Sequence, residues 1–208
     1  MGTDIHGFVE CRASHGMPPD EEDGWSAAID LELLYAGRDY DAFGCLFGVR
    51  DLANFAPLAA GRGLPDDLAG PTRAAHAAWR SDAMGETWIG WAEVEAVDWD
   101  EPSADVDDRI HECRIDADGR WMPYAKAAWS RDFARLAGLP ERPDPGYGGR
   151  RWPEGTEWRD GEVGFRVVRL RRREAAGPDG EWGPVWAVMR ALAEVHGKEN
   201  VRLVVWFD

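Results

Sequence analysis

Cysteine is scarce and badly placed for cross-linking. Cys11, Cys45 and Cys113 are odd in number, far apart and form no Cys-x-x-Cys pair. That argues against a disulfide frame or a zinc ribbon and predicts reduced, buried thiols. No apolar run reaches the length of a membrane span, and the N-terminus lacks a basic segment followed by an apolar core. Neither membrane contact nor a secretory signal is therefore expected, and a cytoplasmic location is. Positive charge is also in deficit: 24 Lys and Arg face 39 Asp and Glu, a formal charge of −15. Contacts to a phosphate backbone need clustered cations, so general nucleic-acid binding is not expected. The one basic concentration is Arg166, Arg169, Arg171, Arg172 and Arg173. Signatures of catalysis are missing as well. There is no Walker A loop, no dinucleotide glycine fingerprint and no Gly-x-Ser-x-Gly elbow. The acids at 98–108 lack the spacing of a calcium loop.

What is present suits one α+β domain over residues 1–208. Pro140, Pro143, Pro145 and Pro153 crowd with Gly and Asp at 140–161, which predicts an irregular insertion. Twelve Trp must pack in the core or line a groove. The first dozen residues read as a strand with Asp4, His6 and Glu10 on one face and Ile5, Val9 and Cys11 on the other. Trp25–Leu33 reads as its returning partner. Tyr40, Phe43, Leu46 and Phe47 form the stripe of a helix over 40–47, with Asp39 as N-cap and Gly48 as stop. Further helices are expected over 71–80, 123–138 and 184–196. The stripe of the 123–138 helix would be Ala125, Ala128, Trp129, Phe133 and Leu136. Trp88–Val97 fits a strand with a Gly defect or a short helix, the helix being preferred. Residues 98–108 read as an exposed acidic loop, and Arg109–Asp116 and Val163–Arg171 as strands. Val201–Asp208 is apolar at nearly every position, so it should run centrally in a sheet covered on both faces. The expected fold is a mixed or antiparallel sheet containing both terminal strands, with about four helices packed on it.

Asp4 and His6, two apart on a strand, project together. They are the candidate catalytic pair, and with a third donor they would suit a divalent metal. The structural alternative is a strand cap and an internal hydrogen bond. Asp4-Ile5-His6-Gly7 also echoes the first metal motif of metallophosphoesterases, but the later Gly-Asp, Gly-Asn-His and Gly-His-x-His blocks are lacking. His111 and Cys113 share a strand face and suggest a thiolate–imidazole pair. Arg38, Arg50 and Arg62 are candidates for ligand binding, because a guanidinium recognises phosphate or carboxylate with two parallel hydrogen bonds. Charge pairing with the many acids is the alternative for these three.

Several blocks occur together in order: Met1-Gly-Thr-Asp-Ile-His6, Arg38-Asp-Tyr40 with Phe43, Gly48-Val-Arg50, Arg62-Gly-Leu-Pro65, Val201-Arg202 and Trp206-Phe-Asp208. They cover the two ends and residues 38–65. In these blocks the chain resembles an uncharacterised family of phage and bacterial proteins that open Met-Gly-Cys-Asp-Ile-His and end near Trp-Phe-Asp. It differs from that pattern at Thr3, where the family has Cys, and at Met84, where relatives carry His. The resemblance implies no activity. Two functions are expected from the residues. One is binding or processing of a small anionic ligand, such as a nucleotide, at Asp4 and His6 with the arginines. The other is a non-enzymatic acidic protein, inhibitor-like or immunity-like, that acts on a protein partner.

Overall fold

The computed structural model describes residues 2–13, 24–79, 81–140 and 148–208. In chain order the elements are β1 (Ile5–Arg12), β2 (Trp25–Asp30), α1 (Tyr40–Phe47), α2 (Gly70–Trp79), β3 (Met84–Gly90) and α3 (Trp91–Glu95). Then come β4 (Ile110–Ile115), β5 (Trp121–Ala127), α4 (Arg131–Leu136), β6 (Glu157–Asp160), β7 (Val163–Arg166), α5 (Arg172–Ala176), α6 (Gly183–His196) and β8 (Val201–Phe207). The class is α+β. Two compact units can be told apart: Met1–Asp51 with Ala56–Glu101 and Arg172–Asp208, and Leu52–Phe55 with Pro102–Arg171.

The larger unit is built on a four-stranded antiparallel sheet of order β2-β1-β8-β3. The two terminal strands lie side by side at its centre, with Ile5 opposite Phe207 and Glu10 opposite Arg202. All seven residues of β8 are buried, as a strand apolar at every position but Arg202 requires. Ile5, Val9 and Cys11 point into the main core with Leu203, Val205 and Phe207, where Phe43, Phe47, Val185, Trp186 and Met189 meet them. His6 and Glu10 therefore face the other side. Gly7 lets β1 approach β8 closely, since a Cβ there would strike the Val204 carbonyl oxygen. Asp39 and Gly48 cap α1 as the sequence indicates: the Asp39 carboxylate accepts from the Asp41 N–H, and Gly48 ends the helix at φ 73°.

The smaller unit carries a second antiparallel sheet, β5-β4-β7-β6, over a core of Ile110, Phe133, Phe165 and Val167. Here the sequence reading needs correction. Residues 123–138 are not one helix: Pro123 and Ala125 lie in β5, an edge strand with most of its residues exposed. An edge tolerates Pro, whose missing N–H would face solvent, and Pro123 sits opposite Cys113 at a register shift. The helix starts only at Arg131, where Ser130 Oγ accepts from the Phe133 N–H at 3.2 Å. Trp88–Val97 is strand to Gly90 and helix from Trp91, capped by Glu93 reaching back to the Gly90 N–H. The strand expected over 163–171 stops at Arg166. Of the expected insertion at 140–161, residues 141–147 lie outside the described residues, and the remainder includes a 3-10 turn and β6.

Candidate functional site

Asp4 and His6 sit where β1 begins and β8 ends. The Asp4 N–H donates to Asp208 Oδ1 at 3.1 Å, and the Asp208 N–H donates to the Asp4 carbonyl at 3.3 Å. Both oxygens of the Asp4 carboxylate pair with one edge of the Arg38 guanidinium: Nη2 donates to Oδ2 at 2.6 Å, and Nε donates to Oδ1. Hydrogen bonds from Arg38 hold the Asp4 carboxyl below its ordinary range, and Asp4 in turn raises Arg38. Gly2 leaves room for the Arg38 guanidinium, since a Cβ there would come within 2.5 Å of Nη1. Both partners remain in reach of solvent, with 37% of the Asp4 side chain and 56% of Arg38 exposed.

Arg50 approaches the same segment. Its Nε donates to Thr3 Oγ1 at 3.1 Å, while the Thr3 N–H donates to the Tyr40 hydroxyl. Arg50 has φ 57°, a left-handed backbone that costs a residue with a side chain about 1 kcal/mol.

His6 packs against Trp79 with ring centroids 4.1 Å apart and against Trp206 at 6.3 Å. Its Nε2 lies 3.6 Å from Asp208 Oδ1, and its Nδ1 lies 4.0 Å from Glu32 Oε1, both longer than a hydrogen bond. Nε2 of His6 and Nε1 of Trp206 are buried with no hydrogen-bond partner among the described residues. Trp206 also meets His76 edge-on at 5.3 Å, and His76 contacts Glu86 at 3.2 Å. The strand end thus gathers Asp4, His6 and Arg38; Arg50 reaches the segment through Thr3, and Arg62 does not reach it.

Arg62 belongs to the opposite end of the sheet. Its guanidinium grips Glu93 through two hydrogen bonds, 2.9 and 2.7 Å, and gives a third to the Leu58 carbonyl. Near it lies a pair that sequence reasoning missed. Glu10 is fully buried, and its carboxylate accepts from Arg202 Nε at 2.8 Å and from the Ala69 N–H at 3.1 Å. Arg202 spends its other nitrogens on Asp67, at 2.6 Å to the carboxylate and 2.9 Å to the carbonyl. Burial pushes the Asp67 carboxyl up, but Arg202 and the Trp25 N–H outweigh it and bring it down. The available signal was a lone Arg inside an apolar strand, which must find a carboxylate.

The 98–108 loop is not wholly exposed: Asp107 is fully buried. It accepts from Arg109 at 2.8 Å and contacts His111 Nε2 at 2.8 Å. Burial alone would raise the Asp107 carboxyl; these hydrogen bonds prevail and lower it to about 2. His111 is therefore engaged by Asp107 rather than poised over a thiolate, and burial raises the Cys113 thiol. The thiolate–imidazole reading fails on both counts. All three cysteines are free and buried.

No three His, Cys, Asp or Glu side chains converge as a metal site would require among the described residues. Asp4 and His6 in particular lack a third donor there, and Asp4 already serves Arg38. No helix among the described residues is long and apolar enough to cross a membrane. Comparison of the chain with protein-family models, curated proteins and solved structures gave no match.

Proposed function

We propose that this protein binds a small anion, a phosphate or carboxylate compound, at the strand end formed by Asp4, His6, Arg38 and Arg50. The observation that carries the reading is Arg50. A side chain is kept at a left-handed backbone position where glycine would relieve strain, and it donates a hydrogen bond to Thr3, next to Asp4. Strain of this kind collects where a side chain is needed for more than folding. Arg38 supplies the second guanidinium. Exposed ion pairs hold weakly, so a more highly charged anion can take Asp4's place on Arg38 at small cost. His6 stands two residues on along the strand, with a buried Nε2 to offer as hydrogen-bond partner or proton carrier. In this reading Asp4 is the resident counter-ion of the anion site, and catalysis is not required.

Titration calorimetry with inorganic phosphate and a dicarboxylate tests the proposal. Binding should occur with the intact protein and be lost with Arg38→Gln and with Arg50→Gly, while both variants keep a cooperative melt. An intact protein that takes up neither anion would leave the acidic, protein-binding function as the better account.

A further inference from the structure

A second site stands at the far end of β1, six residues and about 20 Å along the strand from His6. There the sheet, the loop over 58–67 and α3 border a groove of about 790 Å³. Small-ligand sites span roughly 300–1,000 Å³. Two indoles line it, and each has a guanidinium over its ring. Arg202 lies 3.9 Å and Arg12 5.2 Å from the Trp25 ring, and Arg62 lies 5.1 Å from the Trp88 ring.

The charges in the groove differ in how they are used. Arg202 is buried and committed to Glu10 and Asp67, and Arg62 is committed to Glu93. Arg12 is held differently: both Nε and Nη2 donate to the neutral amide oxygen of Asn200, at 3.0 and 2.9 Å. Its positive charge is therefore uncompensated among the described residues. Asp66 and Glu199 also line the groove and carry no cation among the described residues. Among those residues the groove thus offers one free cation, two free carboxylates and flat aromatic surface.

We propose that this groove binds a nucleoside monophosphate, an inference independent of the strand-end anion site. The single phosphate goes to Arg12, the base stacks on the guanidinium–indole layers, and the ribose hydroxyls donate to Asp66 and Glu199. Each feature of the groove then has a counterpart in the ligand. Further phosphates would meet the free carboxylates, so a triphosphate should bind less well than a monophosphate.

Calorimetry on the Arg38→Gln protein, which lacks the strand-end anion site, with AMP, CMP, GMP and UMP, with ATP and with inorganic phosphate provides the test. At least one monophosphate should bind, more tightly than ATP and about tenfold or more tightly than phosphate. Arg12→Gln and Trp88→Leu should each weaken it about tenfold. Arg12 is exposed, so its variant still reads the site if the Trp88 variant does not fold. Four results would overturn the inference. These are no heat from any monophosphate at millimolar concentration, phosphate binding as tightly as the nucleotides, ATP binding best, or monophosphate binding left unchanged by Arg12→Gln.

Discussion

Replacing Arg202 with methionine leaves the Glu10 carboxylate without a cation in the middle of the sheet. Glu10 has none of its side chain exposed and Arg202 only 6%. In the variant Glu10 keeps one hydrogen bond, from the Ala69 N–H at 3.1 Å. Removing one partner of such a buried pair costs about 3–5 kcal/mol. Loss of the guanidinium over Trp25, at 3.9 Å, adds roughly 1 kcal/mol, part of which the methionine restores by apolar contact. A net loss of about 4 kcal/mol is expected, a large share of the roughly 5–15 kcal/mol that holds a domain together. The pair of substitutions Glu10→Gln and Arg202→Met should behave otherwise. The neutral amide that Glu10→Gln introduces still accepts from the Ala69 N–H and strands no charge, so the double variant should lose only about 1–2 kcal/mol. Urea unfolding followed by tryptophan emission measures all three variants in one double-mutant cycle. If Arg202→Met lost less than about 1 kcal/mol, or the double variant lost the sum of the two singles, the pair would not be the buried unit described.

Acid should weaken the smaller unit through Asp107. Its folded pKa of about 2 lies below the ordinary 3.8. The stabilisation, about 2 kcal/mol, is therefore complete above the ordinary value and lost as pH falls from 3.8 towards 2. Asp107→Asn should remove that part of the pH dependence, and superimposable acid-unfolding curves for the two proteins would contradict it. The thiols should be inert. Burial pushes Cys45 up to about 11 and raises Cys11 and Cys113, so iodoacetamide at about pH 8 should modify none until the protein unfolds. Rapid labelling of Cys113 would reopen a role for it beside His111.

Much of the larger unit could be read in the sequence because its local signals agree. β1 alternates, β8 is apolar at every position but Arg202, and α1 has a stripe with a cap at each end; the sheet and helix follow. In the smaller unit they conflict. The Ala and Trp spacing after Pro123 mimics a buried helical face, yet the segment is a largely exposed edge strand. Nothing local reveals that its faces go unburied. The i, i+2 spacing of Asp4 and His6 placed them together, but Arg38 reaching Asp4 depends on the tertiary fold. So does the pairing of Glu10 with Arg202: the two are register partners in β1 and β8, 192 residues apart. Their charges were visible in the sequence, but the antiparallel register that joins them was not.

The central claim is that an external anion replaces Asp4 on Arg38, and phosphate affinity of Asp4→Asn measures it most directly. The substitution keeps the shape of residue 4 and removes the competing charge. Calorimetry should show tighter phosphate binding than in the parent protein, by roughly two- to fivefold, the range expected when a weak exposed ion pair no longer has to be broken. The melting temperature should stay nearly unchanged. Weaker binding in Asp4→Asn would mean that Asp4 itself holds the ligand, and the anion site on Arg38 would have to be abandoned.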